Sequence, residues 1–276
     1  MKFTVLGSGS TGNSVLISSE TTNVLVDAGL SAREILRRLA DVGVAPDQLD
    51  AVLVTHEHSD HIGGLRVLLQ SVACPVFISR VTEDAYYDTR AGGTNGDSES
   101  SKRRNALKNR TEWIESSRDF RIGDIDFEPF RVPHDAVDNF GFVARKDGVK
   151  VATLMDFGHI SEGVKKALLG CDAIVIESNH SRDMLRTCRV YTWDLKQRIM
   201  SRTGHLSNED LSDWLTNDFD GAARYIVLAH LSQRSNEPHL ARLTAEVALE
   251  MRAPLFRAQT RISVSNHRSP TDWITL

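Results

Sequence analysis

The segment Thr55-His56-Glu57-His58-Ser59-Asp60-His61 is the most informative stretch of the chain, because it places four potential metal ligands within six positions. Imidazole and carboxylate together suit zinc, manganese or iron, and the absence of a nearby cysteine argues against a closed structural zinc site. Alternate residues of a loop can point the same way, so we expect His56 and His58 to bind one ion and Asp60 and His61 a second. A chance cluster of histidines in a solvated loop is the alternative, but the preceding apolar run 51–54 favours a metal site at a strand end.

Three further candidate ligands each follow an apolar run of the kind that forms a buried strand. They are His134, Asp156 and His230. Polar residues just beyond apolar strands converge at the edge of a sheet, where binding sites form. Each residue alone could be a hydrogen-bonded structural residue, but the threefold recurrence of the pattern favours a shared site.

The order of apolar runs and helical segments indicates the fold class. We predict strands at 3–6, 15–17, 23–26, 51–54, 111–115, 125–130, 140–144, 149–154, 172–177 and 225–228. We predict helices at 32–42, 162–169, 195–201, 209–215 and 238–251, and helical spacing at Leu65, Leu68 and Leu69. Ser31 is the predicted N-cap of the first helix. Two series of strands interleaved with helices predict an α/β sandwich of two sheets with helices outside, and the length suits one domain over 1–276. Residues 92–108 lack apolar periodicity and predict a surface loop.

The composition limits the function classes. A formal net charge of −4 and a pI near 6.2 give no global signature of nucleic-acid binding, so a polyanion would need local basic patches. The cysteines Cys74, Cys171 and Cys188 have no metal-like spacing and predict free thiols in a reducing compartment. No apolar stretch approaches the roughly 20 residues that span a bilayer, so we expect a cytoplasmic protein without membrane contact. The oligomeric state is left open.

Positive charge is concentrated between Arg182 and Arg202, where six basic residues face two acidic ones. Arg186, Arg189 and Arg198 are the candidate phosphate contacts, and interleaved aromatic residues could stack on unpaired bases. A solvated helix face with core aromatic residues is the alternative. A second basic cluster comprises Lys102, Arg103, Arg104, Lys108 and Arg110.

The order of Asp27, the His56-x-His58-x-Asp60-His61 run, His134, Asp156 and His230 resembles the motifs of the metallo-β-lactamase superfamily over nearly the whole chain. The resemblance implies a four-layer αβ/βα sandwich with two divalent metal ions, zinc, manganese or iron. By this similarity, the first ion is held by His56, His58 and His134, the second by Asp60, His61 and His230, and Asp156 bridges both. Asp27 would orient a ligand by hydrogen bonding; a turn aspartate that ends a strand is the alternative.

Three further segments, 7–14, 177–180 and 204–208, resemble the YycJ/WalJ exonuclease branch of that superfamily. The resemblance implies a phosphodiesterase, a 5′-to-3′ DNA exonuclease, in which a metal-bridging hydroxide attacks the phosphate and Asp60 and His205 are the catalytic residues. His205 would act as general acid or phosphate-stabilising group, and Ser207 could also cap the following helix. His180 is either a phosphate contact or an ordinary loop residue. A ribonuclease, a small-molecule cyclic phosphodiesterase and a non-catalytic binding protein are the alternatives.

Overall fold

The computed structural model describes residues 1–88, 96–116, 118–252 and 260–276. The chain separates into two compact units. The first comprises Met1–Pro129, Ala136–Phe140 and His267–Thr275, and the second comprises Phe130–Asp135, Gly141–Asn266 and Leu276.

The described residues form fourteen strands and ten α-helices. The strands are β1 Lys2–Gly7, β2 Ser14–Ser18, β3 Asn23–Val26, β4 Ala51–Leu53, β5 Val76–Ile78, β6 Thr111–Trp113, β7 Phe120–Ile122, β8 Ile125–Arg131, β9 Phe140–Lys146, β10 Val149–Leu154, β11 Ala173–Glu177, β12 Tyr225–Ala229, β13 Arg261–Val264 and β14 Ile274–Thr275. The helices are α1 Ala32–Asp41, α2 Ser59–Ile62, α3 Leu65–Leu68, α4 Arg80–Tyr87, α5 Gly96–Leu107, α6 Glu162–Leu168, α7 Arg182–Thr187, α8 Trp193–Ile199, α9 Asn208–Asn217 and α10 Pro238–Met251.

The sheet of the first unit has the strand order β14-β1-β2-β3-β4-β5-β6. Strands β1, β2 and β3 are antiparallel neighbours, whereas β3, β4, β5 and β6 run parallel. The apolar residues of β3 and β4 are buried, as expected for parallel strands that helices cover. Ile35 and Leu39 of α1 and Leu65 and Leu68 of α3 belong to the same buried cluster. This packing places the carboxyl ends of β3 and β4 at one edge of the sheet.

The second unit contains the order β13-β12-β11-β10-β9, in which β9 and β10 are antiparallel and the other neighbours are parallel. Leu211, Trp214 and Leu215 of α9 and the alanines of α10 form a core with the apolar side chains of these strands. Strands β7 and β8 pair as an antiparallel hairpin. Because β10, β11 and β12 are parallel, their carboxyl ends also lie at one edge.

The prediction of a surface loop over 92–108 is wrong for residues 96–107, which form α5; residues 92–95 lie outside the described part of the chain. The helix has no apolar stripe, so periodicity could not identify it. Contacts from its charged side chains hold it instead: Glu99 pairs with Arg66 at 2.9 Å and with Arg103 at 3.6 Å. Leu107, at its end, is buried.

Candidate metal centre

Three histidines of the first unit cluster at the end of β4. The ring centroid of His56 lies 4.7 Å from that of His58 and 4.1 Å from that of His61. His56 and His61 are fully buried, while His58 is partly exposed as the N-cap residue of α2. Close packing of imidazoles in the protein interior suits coordination to a metal ion.

Asp27 and Thr55 hold two of these rings through their Nδ1 atoms. Oδ2 of Asp27 lies 2.6 Å from Nδ1 of His61, and Oγ1 of Thr55 lies 3.0 Å from Nδ1 of His56. The backbone N–H of Thr55 donates to the Asp27 carboxylate at 2.9 Å, which fixes the carboxylate in turn. A hydrogen bond at Nδ1 sets the ring orientation and leaves Nε2 as the nitrogen that could bind a metal. Sequence reasoning missed Thr55.

Asn13 holds the loop that carries Asp60 and His61. Its backbone N–H donates to the carbonyl of Asp60 at 2.7 Å, and its Nδ2 lies 3.0 Å from Nε2 of His61. Its Oδ1 accepts hydrogen bonds from Ser8 and from the backbone of Gly9, both at 2.9 Å. The segment 7–14 therefore acts as a brace for the predicted ligands of the second metal, a role that its sequence did not indicate.

Gly29 permits the same loop to approach the turn before α1. A Cβ atom on Gly29 would lie 1.6 Å from the carbonyl oxygen of Asp60. No side chain fits at that distance, so the contact requires glycine.

In the second unit, side chains from four strand ends and loops converge. Ligand atoms of Asp156, Glu177, His205 and His230 all lie within 4.8 Å of one another, and Asp156, Glu177 and His230 are buried. Nε2 of His134 lies 3.8 Å from Oδ2 of Asp156. Imidazoles and carboxylates in this proportion fit a divalent ion such as zinc, manganese or iron.

Glu177, which sequence reasoning did not assign to the site, connects two of these histidines. Its Oε1 lies 2.8 Å from Nδ1 of His205 and 2.8 Å from Nδ1 of His230. Its Oε2 accepts hydrogen bonds from the backbone N–H groups of Phe157 and Leu206. The available signal was its position as the last residue of the apolar strand β11, the same pattern that identified Asp156 and His230.

The electrostatics of this cluster favour an ionised Glu177. Burial alone would raise the pKa of this carboxyl, but His205 and His230 lower it below its usual range. Burial likewise opposes the charged form of His205, yet Glu177 and Asp156 raise the pKa of His205. Burial lowers the pKa of His134, which favours the neutral imidazole that binds metals. The Nδ1 of His134 is fixed at 3.1 Å from the carbonyl of Gly204.

The backbone at three candidate residues is strained. Asp27, Asp156 and His230 have φ of 63°, 57° and 54°, in the left-handed region that residues with a side chain rarely adopt. Each stands just beyond a strand, β3, β10 or β12. Such conformations cost on the order of 1–3 kcal/mol and concentrate at functional sites.

His180 lies in the loop after β11, where it is 1% exposed and its backbone bridges to Ser207. Its Nδ1 has no hydrogen-bond partner among the described residues, and burial lowers its pKa to about 4. Ser207 caps α9, because its side chain accepts a hydrogen bond from the backbone N–H of Asp210 at 3.0 Å. The same segment places His205 beside Glu177, so a capping role for Ser207 and a site role for His205 are compatible.

The predicted phosphate contacts Arg186, Arg189 and Arg198 are exposed. Arg198 pairs with Asp135 at 2.5 Å, and Arg186 lies 3.8 Å from Asp183. Trp193, at the start of α8, is 62% exposed and so is no core residue. An exposed indole between arginines is the arrangement that stacks on unpaired bases.

The chain belongs to the metallo-beta-lactamase superfamily, whose family model matches residues 7–230. It is 36% identical to the exodeoxyribonuclease WalJ of Streptococcus pneumoniae serotype 2, over 88% of this chain and 86% of that protein. It is also 36% identical to the exodeoxyribonuclease YycJ of Bacillus anthracis, over 91% of this chain and 89% of that protein. The metallo-beta-lactamase fold protein YhfI of Bacillus subtilis superposes with a TM-score of 0.70 at 16% identity, covering 98% of each chain.

These similarities confirm the predicted family, the fold class of an α/β four-layer αβ/βα sandwich and the prediction of a hydrolytic enzyme. No helix within the described ranges is long and apolar enough to cross a membrane.

Proposed function

We propose that the chain is a dinuclear metal-dependent phosphodiesterase that degrades DNA as a 5′-to-3′ exonuclease. The main observation that supports the proposal is the convergence of Asp156, Glu177, His205 and His230, whose side-chain N and O atoms lie within 4.8 Å of one another. It brings two candidate ligands, Asp156 and His230, next to the candidate general acid His205 and its partner Glu177. The identity of 36% to two exodeoxyribonucleases over most of the chain supports DNA as the substrate. One domain over 1–276 and a cytoplasmic location remain part of this proposal.

The ligand assignment follows the order of the motifs. His56, His58 and His134 would hold the first ion, Asp60, His61 and His230 the second, and Asp156 would bridge the two. Two divalent ions supply a strong nucleophile from water at neutral pH and stabilise the charge of the phosphodiester. Asp27 would keep His61 oriented through its contact with Nδ1, and Asp60, partly exposed, would lie beside the attacking group.

His205 would deliver the proton that the leaving oxygen needs. Glu177 contacts its Nδ1 at 2.8 Å, which leaves Nε2 to face the substrate. The carboxylate raises the pKa of His205 despite burial, so a larger fraction of this histidine carries the proton near neutral pH. His205 then acts as a general acid while Glu177 holds the ring.

The polymer would be held by the exposed surface that follows β11. Arg186, Arg189 and Arg198 would contact phosphates, and Trp193 would stack on an unpaired base. His180 is buried in the adjacent loop, and its pKa is about 4. At neutral pH it would therefore contact a phosphate as a neutral imidazole.

The decisive experiment is digestion of end-labelled single- and double-stranded DNA and RNA by protein loaded with zinc, manganese or iron, with a chromogenic phosphodiester in parallel. Progressive shortening of DNA from the 5′ end is expected. Preferred degradation of RNA would make the enzyme a ribonuclease, and inert polymers with rapid turnover of the small diester would make it a small-molecule phosphodiesterase. Asp156→Ala is the matched control, and we expect it to abolish hydrolysis and to reduce the metal content. No turnover of any of these substrates by the metal-loaded native chain would favour a binding protein.

A further inference from the structure

A basic groove lies on the first unit, between α3 and α5. It has a volume of about 740 Å³. Its lining residues are Arg66, Leu69, Gln70, Lys102, Asn105, Ala106, Lys108, Asn109 and Arg110. Four of them are cationic and none is acidic, which contrasts with the net charge of −4 of the whole chain.

The neighbouring arginines of α5 are engaged in packing and do not belong to the groove. The guanidinium of Arg103 lies 4.9 Å from the ring of Tyr86 and donates to its carbonyl at 2.7 Å. Arg104 lies 4.2 Å from the ring of Tyr87. These contacts fix one side of α5 against α4 and leave Lys102 on the side of the groove.

Arg110 and Arg66 are the two half-buried cations that line the groove. Arg110 donates to the carbonyls of Leu69 and Val72 at 3.0 and 2.7 Å, so it is fixed in place while it keeps its charge. Arg66 pairs with Glu99 at 2.9 Å, which neutralises one of the four cations.

Lys102 and Lys108 stand exposed at the rim. Between Lys108 and Arg110 the backbone turns at Asn109, whose φ of 61° is left-handed and ends the helix. The turn places Lys108 and Arg110 on the same groove. Two mobile cations above a fixed guanidinium are suited to successive phosphates of a flexible strand, since lysine acts as a point charge and tolerates variation in strand geometry.

We propose that this groove binds the phosphate backbone of a nucleic-acid strand, outside the metal centre, and so holds long substrates on the enzyme. The proposal rests on the proposed nuclease function and concerns a surface apart from the candidate metal centre. The groove adjoins the amino ends of β5 and β6, where the backbone N–H of Val76 donates to the carbonyl of Arg110, whereas His56 follows the carboxyl end of β4. The contacts are to phosphates alone, so binding is independent of base sequence and decreases steeply with salt.

The test compares the native chain with the double variant Lys102→Gln/Lys108→Gln. Binding of a fluorescein-labelled single-stranded oligonucleotide with hydrolysis-resistant phosphorothioate linkages is measured by anisotropy over a salt series. The matched control is Lys165→Gln/Lys166→Gln, which removes the same charge from α6, where Lys165 pairs with Glu162 and Asp218. Thermal melting establishes that all variants are folded.

We expect the groove variant to bind about ten-fold more weakly, with a log–log salt slope reduced by about 1.4, because each lost phosphate contact removes about 0.7 from the slope for a single strand. The control should bind as the native chain does, and hydrolysis of a chromogenic phosphodiester should be unchanged in both variants. An unchanged slope in the groove variant, or no binding by the native chain, would overturn the proposal. If the chain cleaves DNA and neither binding nor cleavage depends on these lysines, the groove proposal is wrong and the nuclease function stands. If binding depends on the lysines but no DNA is cleaved, the nuclease function is wrong and the groove proposal stands.

Discussion

Oδ2 of Asp27 lies 2.6 Å from Nδ1 of His61, and both side chains are fully buried. A carboxylate in this position fixes the tautomer and raises the basicity of an imidazole that binds a metal through Nε2. Asp27 stands just beyond β3 with a left-handed backbone, at φ of 63°.

The variant Asp27→Asn should therefore bind the second metal more weakly by about 10- to 100-fold, because an amide is a poorer acceptor for the N–H of His61. Asparagine tolerates the left-handed backbone, so the fold should persist. Metal titration with a competing chelator gives the affinity. Asp47→Asn, at an exposed site in the same unit, is the control. Equal metal affinity in both variants would mean that Asp27 does not support a metal ligand.

His205→Ala should retain both metals and lose turnover by about 10²- to 10⁴-fold, the range for a lost general acid. Metal analysis and steady-state kinetics on DNA measure the two effects. A substrate with a leaving group that needs no proton should be affected much less. Loss of one metal ion from the variant would instead make His205 a ligand.

Combined neutralisation of Arg186, Arg189 and Arg198 to glutamine should weaken nucleic-acid binding by on the order of ten-fold or more and lower its salt dependence. Hydrolysis of a small chromogenic phosphodiester should be unchanged, because that substrate does not reach the arginines. Comparison of kcat/KM on DNA and on the small diester separates the effects. An equal loss on both substrates would mean that the arginines support the catalytic site itself, for example through the contact of Arg198 with Asp135.

Cys74 should be unreactive in the native protein at pH 8. Burial raises the pKa of its thiol to about 11, so the thiolate that reacts with disulfide reagents is scarce at pH 8 and increases only as the pH rises towards that value. Cys171 is also buried, whereas Cys188 is partly exposed. A colorimetric thiol assay should detect one thiol in the folded chain and three after unfolding. Two or three rapidly reacting thiols in the folded chain would contradict the burial argument.

The elements that sequence predicts well are those with a local signal. The apolar runs within β3, β11 and β12 are continuous, and Ser31 caps α1 as predicted by accepting from the backbone of Glu34. The candidate ligands His134, Asp156 and His230 could be predicted because each follows an apolar run.

The features that sequence reasoning missed depend on contacts between distant segments. Asn13 reaches the loop of Asp60 and His61, 47 and 48 residues further along the chain, and nothing in its neighbours indicates this. Helix α5 is held by charged and aromatic contacts with α3 and α4, so it has no periodic pattern. Glu177 could have been assigned from its strand-end position, but its contacts with two histidines arise only from the fold.

The close approach at Gly29 has a consequence for how relatives of this chain can diverge. A side chain at position 29 would overlap the carbonyl oxygen of Asp60 and displace the loop that carries Asp60 and His61. Gly163 is the contrast, because a Cβ atom there would meet only Oγ of Ser161, at 3.8 Å. Other residues therefore fit at position 163 without a steric clash. A homologue that keeps every candidate ligand histidine but has lost the glycine is therefore expected to hold the loop of Asp60 and His61 differently, so position 29 is a further marker of an intact candidate metal centre.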